Sequence, residues 1–165
     1  MHMNVGERHA CIGTIRRRTL LGGLVLMLLA PNVSALFIVN QPWARPAKSG
    51  QATEAYMNLT STDGASLVAV RTGEAAGIVI RSPGKGARTV LTLPLPAGTL
   101  VALAPGRNRL ALIKLTRSAK LGDRLALTLT IEGTDGTRQD IQVLAEVRMR
   151  SPVDDELRAH PNHNH

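Results

Sequence analysis

Three scarcities bound what this chain of 165 residues can be. It has one cysteine, Cys11, and that lies before an apolar run near the N-terminus. If the run is a removed signal, the remaining chain has no thiol, which excludes disulfides and cysteine–metal chemistry. Aromatics number three, Phe37, Trp43 and Tyr56, so aliphatic residues must fill the core. Histidines occur only toward the two ends, and no nucleophile elbow or phosphate loop is present. The scattered acids Glu54, Glu74 and Asp123 give no linear sign of a paired acid and base. An enzyme is therefore not expected.

The N-terminal segment has the layout of a secretory signal. Arg16, Arg17 and Arg18 make a positive n-region, Leu20 to Ala30 an apolar run of 11 residues, and Val33-Ser34-Ala35 a small-residue cleavage site. A bilayer-spanning helix needs about 20 apolar residues, so no membrane span is expected after cleavage. Residues 1–35 are assigned to the signal, and a periplasmic location follows. Arg17-Arg18-Thr19-Leu20-Leu21 also resembles a twin-arginine signal, which leaves the export route open. No cysteine follows the run closely enough to take a lipid. Residues 36–165 carry 16 Lys+Arg against 11 Asp+Glu, a net of +5. The positive residues are scattered and lack aromatic platforms, so nucleic acid is not an expected partner.

From Phe37 onward the chain alternates between short β-branched runs and turn signals. Ala55, Met57 and Leu59 point one way, and Glu54, Tyr56, Asn58 and Thr60 the other. Arg109 to Leu115 alternates as well, placing Leu110, Leu112 and the stem of Lys114 on one face. Leu125, Leu127, Leu129 and Ile131 share a face of the next strand. Ser82-Pro83-Gly84-Lys85-Gly86 and Gly133-Thr134-Asp135-Gly136 are strong turns. Arg88 to Leu93 should return as a hairpin partner, broken by Pro94 and Pro96. About nine strands are expected over residues 36–150, in an all-β Greek-key sandwich. Trp43 and Tyr56 are expected to anchor the core.

Residues 151–165 differ. Ser151-Pro152-Val153-Asp154 carries an N-cap serine, a proline at the first helical position and an acid three residues after the cap. Beyond Leu157 the segment has no core-forming residues and is expected to be mobile. It holds His160, His163 and His165. Imidazole suits Cu(II), Ni(II) and Zn(II), and the x-spaced pair His163 and His165 can bite one ion.

Several pieces in order resemble the periplasmic copper chaperone family written PCu(A)C. They are Pro42-Trp43-Ala44-Arg45-Pro46, Ala55-Tyr56-Met57-Asn58-Leu59, Leu67-Val68-Ala69-Val70, Ala76-Gly77-Ile78-Val79-Ile80, Pro96-Ala97-Gly98, Leu103-Ala104-Pro105-Gly106 and Leu121-Gly122-Asp123. The resemblance implies a cupredoxin-like sandwich that carries Cu(I) on histidine and methionine. It also implies copper-acceptor partners in respiratory oxidase assembly, and a monomer is expected. Carried over, the family's first histidine falls near Arg81, its hairpin methionine within Arg88 to Leu91, and its His-x-Met pair on Arg109 and Ala111. None of these side chains is a Cu(I) ligand, so the usual site is expected to be degenerate. Any copper then falls to His160, His163 and His165. The two arginines, if convergent, make an anion site or are solvated edge-strand charges. A metal-free periplasmic β-sandwich interaction module is the alternative.

Overall fold

The computed structural model describes residues 36–152, and it is built of strands. They are β1 (Phe37–Ala44), β2 (Thr53–Ser61), β3 (Ala65–Arg71), β4 (Ala75–Arg81), β5 (Thr89–Val90), β6 (Leu93–Leu95), β7 (Leu100–Leu103), β8 (Arg109–Leu115), β9 (Arg124–Gly133) and β10 (Arg138–Val147). The hydrogen-bonded path runs β5-β4-β8-β2-β1-β10-β9-β3-β6, with β7 pairing β2 beyond the end of β8. All pairings are antiparallel except β1 with β10, where Trp43 meets Glu146 and Ala44 meets Val147. This one sheet wraps around a shared core, which bears out the all-β expectation. Among the described residues no helix is long and apolar enough to cross a membrane.

Period-two patterning builds the core. Ala55, Met57 and Leu59 of β2, Leu110 and Leu112 of β8, and Leu125, Leu127, Leu129 and Ile131 of β9 are all buried. Fully burying each leucine contributes roughly 1.5–3 kcal/mol. The turn at Ser82 to Gly86 needs left-handed backbone, and Gly84 and Gly86 supply it at φ of +95° and +83°.

Three expectations need correction. There are ten strands rather than about nine, because the run from Arg88 to Leu93 divides. Thr89 and Val90 pair with β4 as expected, whereas Leu93 to Leu95 cross to β3. Pro94 sits inside β6, not in a break; β6 ends the sheet, so a missing N–H there costs no ladder bond. In β8 the alternation ends at Lys114, whose φ is +52°. Lys114 therefore leaves the inner face and Leu115 enters the core. Of the helical turn expected after the Ser151 cap, Pro152 alone is among the described residues, with helical backbone. The rest of that helical turn, the expected mobility of the tail, and His160, His163 and His165 lie outside the described residues, as do residues 1–35.

Candidate functional site

The outer faces of β2, β4 and β8 meet in an open cavity of about 540 Å³. Its lining includes Arg45, Thr53, Glu54, Arg81, Arg109 and Ala111. Register explains the convergence. Arg81 lies directly opposite Arg109 across the β4–β8 ladder, and Ala111 lies opposite Glu54 across the β8–β2 ladder. Arg109 and Ala111, two apart on one strand, share its outer face. The three positions that the family resemblance assigned to copper ligands thus line one cavity, occupied by two guanidinium groups and a methyl group. Leu91, in the stretch assigned to the hairpin methionine, is exposed and does not line it.

The cationic groups are held in place. Arg109 donates from Nε to Glu54 Oε1 at 2.6 Å and from Nη1 to the Ser82 carbonyl at 3.0 Å. Its side chain is only 18% exposed. Arg81 donates from Nη1 to the Ala87 carbonyl at 3.3 Å. The loop that carries both acceptors is closed by Ser82 N to the Arg88 carbonyl at 2.9 Å and Arg88 N to Ser82 Oγ at 3.0 Å. The second carboxylate oxygen of Glu54 accepts the Tyr56 hydroxyl. Tyr56 stacks on Trp43, with ring centroids 4.5 Å apart, and the Arg45 guanidinium lies 5.9 Å from the Tyr56 ring centroid.

Tyr56 and Trp43 are buried, as expected, and Tyr56 shares the face of Glu54, as the alternation along β2 predicts. Both project from the outer face and lie outside the main hydrophobic cluster. Neither lines the cavity; Tyr56 reaches it through its hydrogen bond to Glu54 and its contact with Arg45. Trp43 also borders a second hollow of about 190 Å³, with Gln41, Met57, Ala104, Pro105 and Ser151. The chain therefore leaves the sheet for its C-terminal residues beside the Ala104–Gly106 turn that leads into Arg109.

Electrostatics follow from this packing. Burial alone would raise the Glu54 carboxyl, but hydrogen bonds from Tyr56 and Arg109, with the charges of Arg109 and Arg45, outweigh it and hold the group below its ordinary range. Burial, and then the hydrogen bond to the Glu54 carboxylate, pushes the Tyr56 phenol from 10.0 up to about 12. A raised phenol keeps its proton in the folded state after the unfolded chain has lost it. Stability should therefore fall as pH rises from about 10 to about 12. Tyr56 is the single tyrosine. An ultraviolet titration of tyrosinate should show a midpoint near 12 in the folded protein; a midpoint near 10 would refute both the burial of the phenol and its bond to Glu54.

Sequence reasoning missed Glu54, Arg45 and Tyr56 as members of this site. The i, i+2 spacing of Glu54 and Tyr56 marked a shared face. The proximity of Glu54 to Arg109, 55 residues away, depends on register alone. The other two acids converge elsewhere. Arg117 donates from Nε to Glu74 at 2.9 Å and from Nη1 to Asp123 at 3.2 Å. Among the described residues no group of three or more His, Cys, Asp or Glu is placed to hold a metal ion. Met57 is buried in the core and Met149 is exposed away from the cavity.

Comparison with known proteins fits this geometry. A family model described as LpqE-like matches residues 38–144. No curated protein gives a significant match. Among solved structures, the apo PCuAC domain from PmoF1 aligns with a TM-score of 0.59 at 24% identity, covering 69% of this chain and 94% of that one. The copper-bound PCuAC domain from PmoF2 aligns at 0.54 and 17%, covering 68% and 93%. The Cu(I) form of DR1885 from Deinococcus radiodurans aligns at 0.50 and 23%, covering 73% and 85%. At these identities the likeness is one of fold.

Proposed function

The chain belongs to the LpqE-like family and has the fold of PCuAC domains, and from that premise we propose that it is an exported copper-handling protein of the chaperone type whose strand-borne Cu(I) seat has been converted to a cationic cleft. One observation carries this reading. The positions matched to the family's soft ligands hold Arg81, Arg109 and Ala111, and Arg109 is already committed to Glu54. Cu(I) favours thioether and imidazole donors, and two permanent positive charges repel it. The imidazoles that follow the sheet are His160, His163 and His165, and we assign copper to them. They lie nine or more residues beyond Ser151, which borders the second hollow beside Trp43 and the Ala104–Gly106 turn.

In this reading residues 1–35 direct export and are removed, and the protein acts in the periplasm. Copper-acceptor proteins of respiratory oxidase assembly are the proposed recipients. Tail histidines suit such delivery, because ligands outside the packed sheet can be surrendered to an acceptor without unfolding the domain.

The test is a competitive titration of the mature protein with Cu(I) and Cu(II), compared with the variant His160→Ala/His163→Ala/His165→Ala. One copper per chain is expected, with affinity at least about tenfold weaker in the variant. Equal binding by the two would return the metal to the strands. No binding by either would favour the metal-free interaction module, a reading supported by the Arg109–Glu54 pair that occupies the cleft.

A further inference from the structure

The cleft has its own binding chemistry, separate from any copper on the tail. Arg45, Arg81 and Arg109 share a single acid, Glu54. Among the described residues neither Arg81 nor Arg45 forms an ion pair with a carboxylate. The lining therefore carries three positive charges against one negative. Like charges placed directly opposite each other on paired strands are destabilising, yet Arg81 faces Arg109 in register. Backbone acceptors on the Ser82 to Arg88 loop hold both guanidinium groups in fixed orientation. The small side chain of Ala111 keeps the floor open, and the hollow of about 540 Å³ has room for a small molecule.

We propose that this cleft is a binding site for a small oxyanion-bearing ligand, a carboxylate or phosphate, gripped by Arg81 and Arg109 with Arg45 at the rim. A planar guanidinium presents parallel N–H donors that match two oxygens of a carboxylate or phosphate. Arg109 bonds Glu54 through Nε and Ser82 through Nη1, which leaves Nη2 as a donor for the ligand. Arg81 spends one Nη1 bond on Ala87, which leaves its other donors. The bound anion relieves the cross-strand repulsion, so binding should stabilise the fold. Glu54 sets the orientation of Arg109 and acts as a positioning residue.

The experiment titrates the mature protein, free of metal, with citrate and separately with inorganic phosphate, against sodium chloride matched for ionic strength. Calorimetry and thermal unfolding are the readouts. Saturable binding and a raised melting temperature are expected with at least one anion, and which one responds distinguishes a carboxylate ligand from a phosphate ligand. Arg81→Gln should weaken that binding at least about tenfold. Arg138→Gln, which removes an exposed arginine paired with Glu132 elsewhere on the surface, should leave it unchanged. Circular dichroism verifies that both variants are folded. A response no larger than that of chloride, or equal weakening by the two substitutions, would overturn the proposal. Because the protein is metal-free, failure here leaves the copper reading standing, and success does not depend on it.

Discussion

Arg81→His, Arg109→His and Ala111→Met, introduced together into a protein whose tail histidines are alanine, should create a Cu(I) site on the strands. The backbone already places the three positions. Residues 81 and 109 are cross-strand partners, and residue 111 follows 109 on the same outer face. Two imidazoles and one thioether would then converge on the cavity that all three positions line. Removing both guanidinium groups deletes the main repulsion felt by an entering cation, and the new donors match the softness of Cu(I). Affinity should rise at least about a hundredfold over the tail-alanine parent, equivalent to about 2.8 kcal/mol. The cost is the lost partner of Glu54. That carboxylate is 37% exposed and can be solvated, so the penalty should stay near 1 kcal/mol. Competition against a chromophoric Cu(I) chelator reads the result. A folded triple variant that binds no better than its parent would mean the strands no longer present these positions with usable geometry.

That experiment depends on features of very different legibility. The strands β2 and β9 are readable because inner and outer residues alternate with period two, and Leu125, Leu127, Leu129 and Ile131 go to the core as expected. Lys114 was not, since hydropathy carries no information about the sign of φ and a lysine stem reads as apolar enough for an inner position. The division after Val90 was equally hidden. Thr89 and Val90 serve β4, while Leu93 to Leu95 serve β3, and a continuous run does not announce a change of partner. The cavity itself was half legible. The resemblance put Arg81, Arg109 and Ala111 at matching positions, but Glu54 entered only through the register between β2 and β8. Pairing of that kind is set by the whole sheet, because a one-residue slip would send Glu54 inward and Ala55 outward.

Tyr56→Ala should be the most damaging single change to the domain. The Tyr56 ring is buried, stacks on Trp43, and bonds through its hydroxyl to Glu54, so truncation removes a packed aromatic and a carboxylate partner at once. Replacement of a buried aromatic by alanine costs about 3–5 kcal/mol. In a domain of ordinary stability that is about a fifth or more of the total, and the melting temperature should fall by roughly 10–20 °C. Tyr56→Phe separates the two contributions. It keeps the ring against Trp43 and removes only the hydroxyl, so it should cost about 1 kcal/mol, because Glu54 retains Arg109 and some water. It should also abolish the extra loss of stability between pH 10 and 12, which belongs to the phenol. Urea unfolding of both variants measures the difference. If alanine and phenylalanine cost the same, the ring contributes nothing, and the cavity would be supported by the Arg109 bonds to Glu54 and Ser82 instead. The expected ordering places the aromatic pair beneath the charged groups as their structural base, so that loosening Tyr56 should disorder Glu54 and Arg109 and weaken anion binding along with stability.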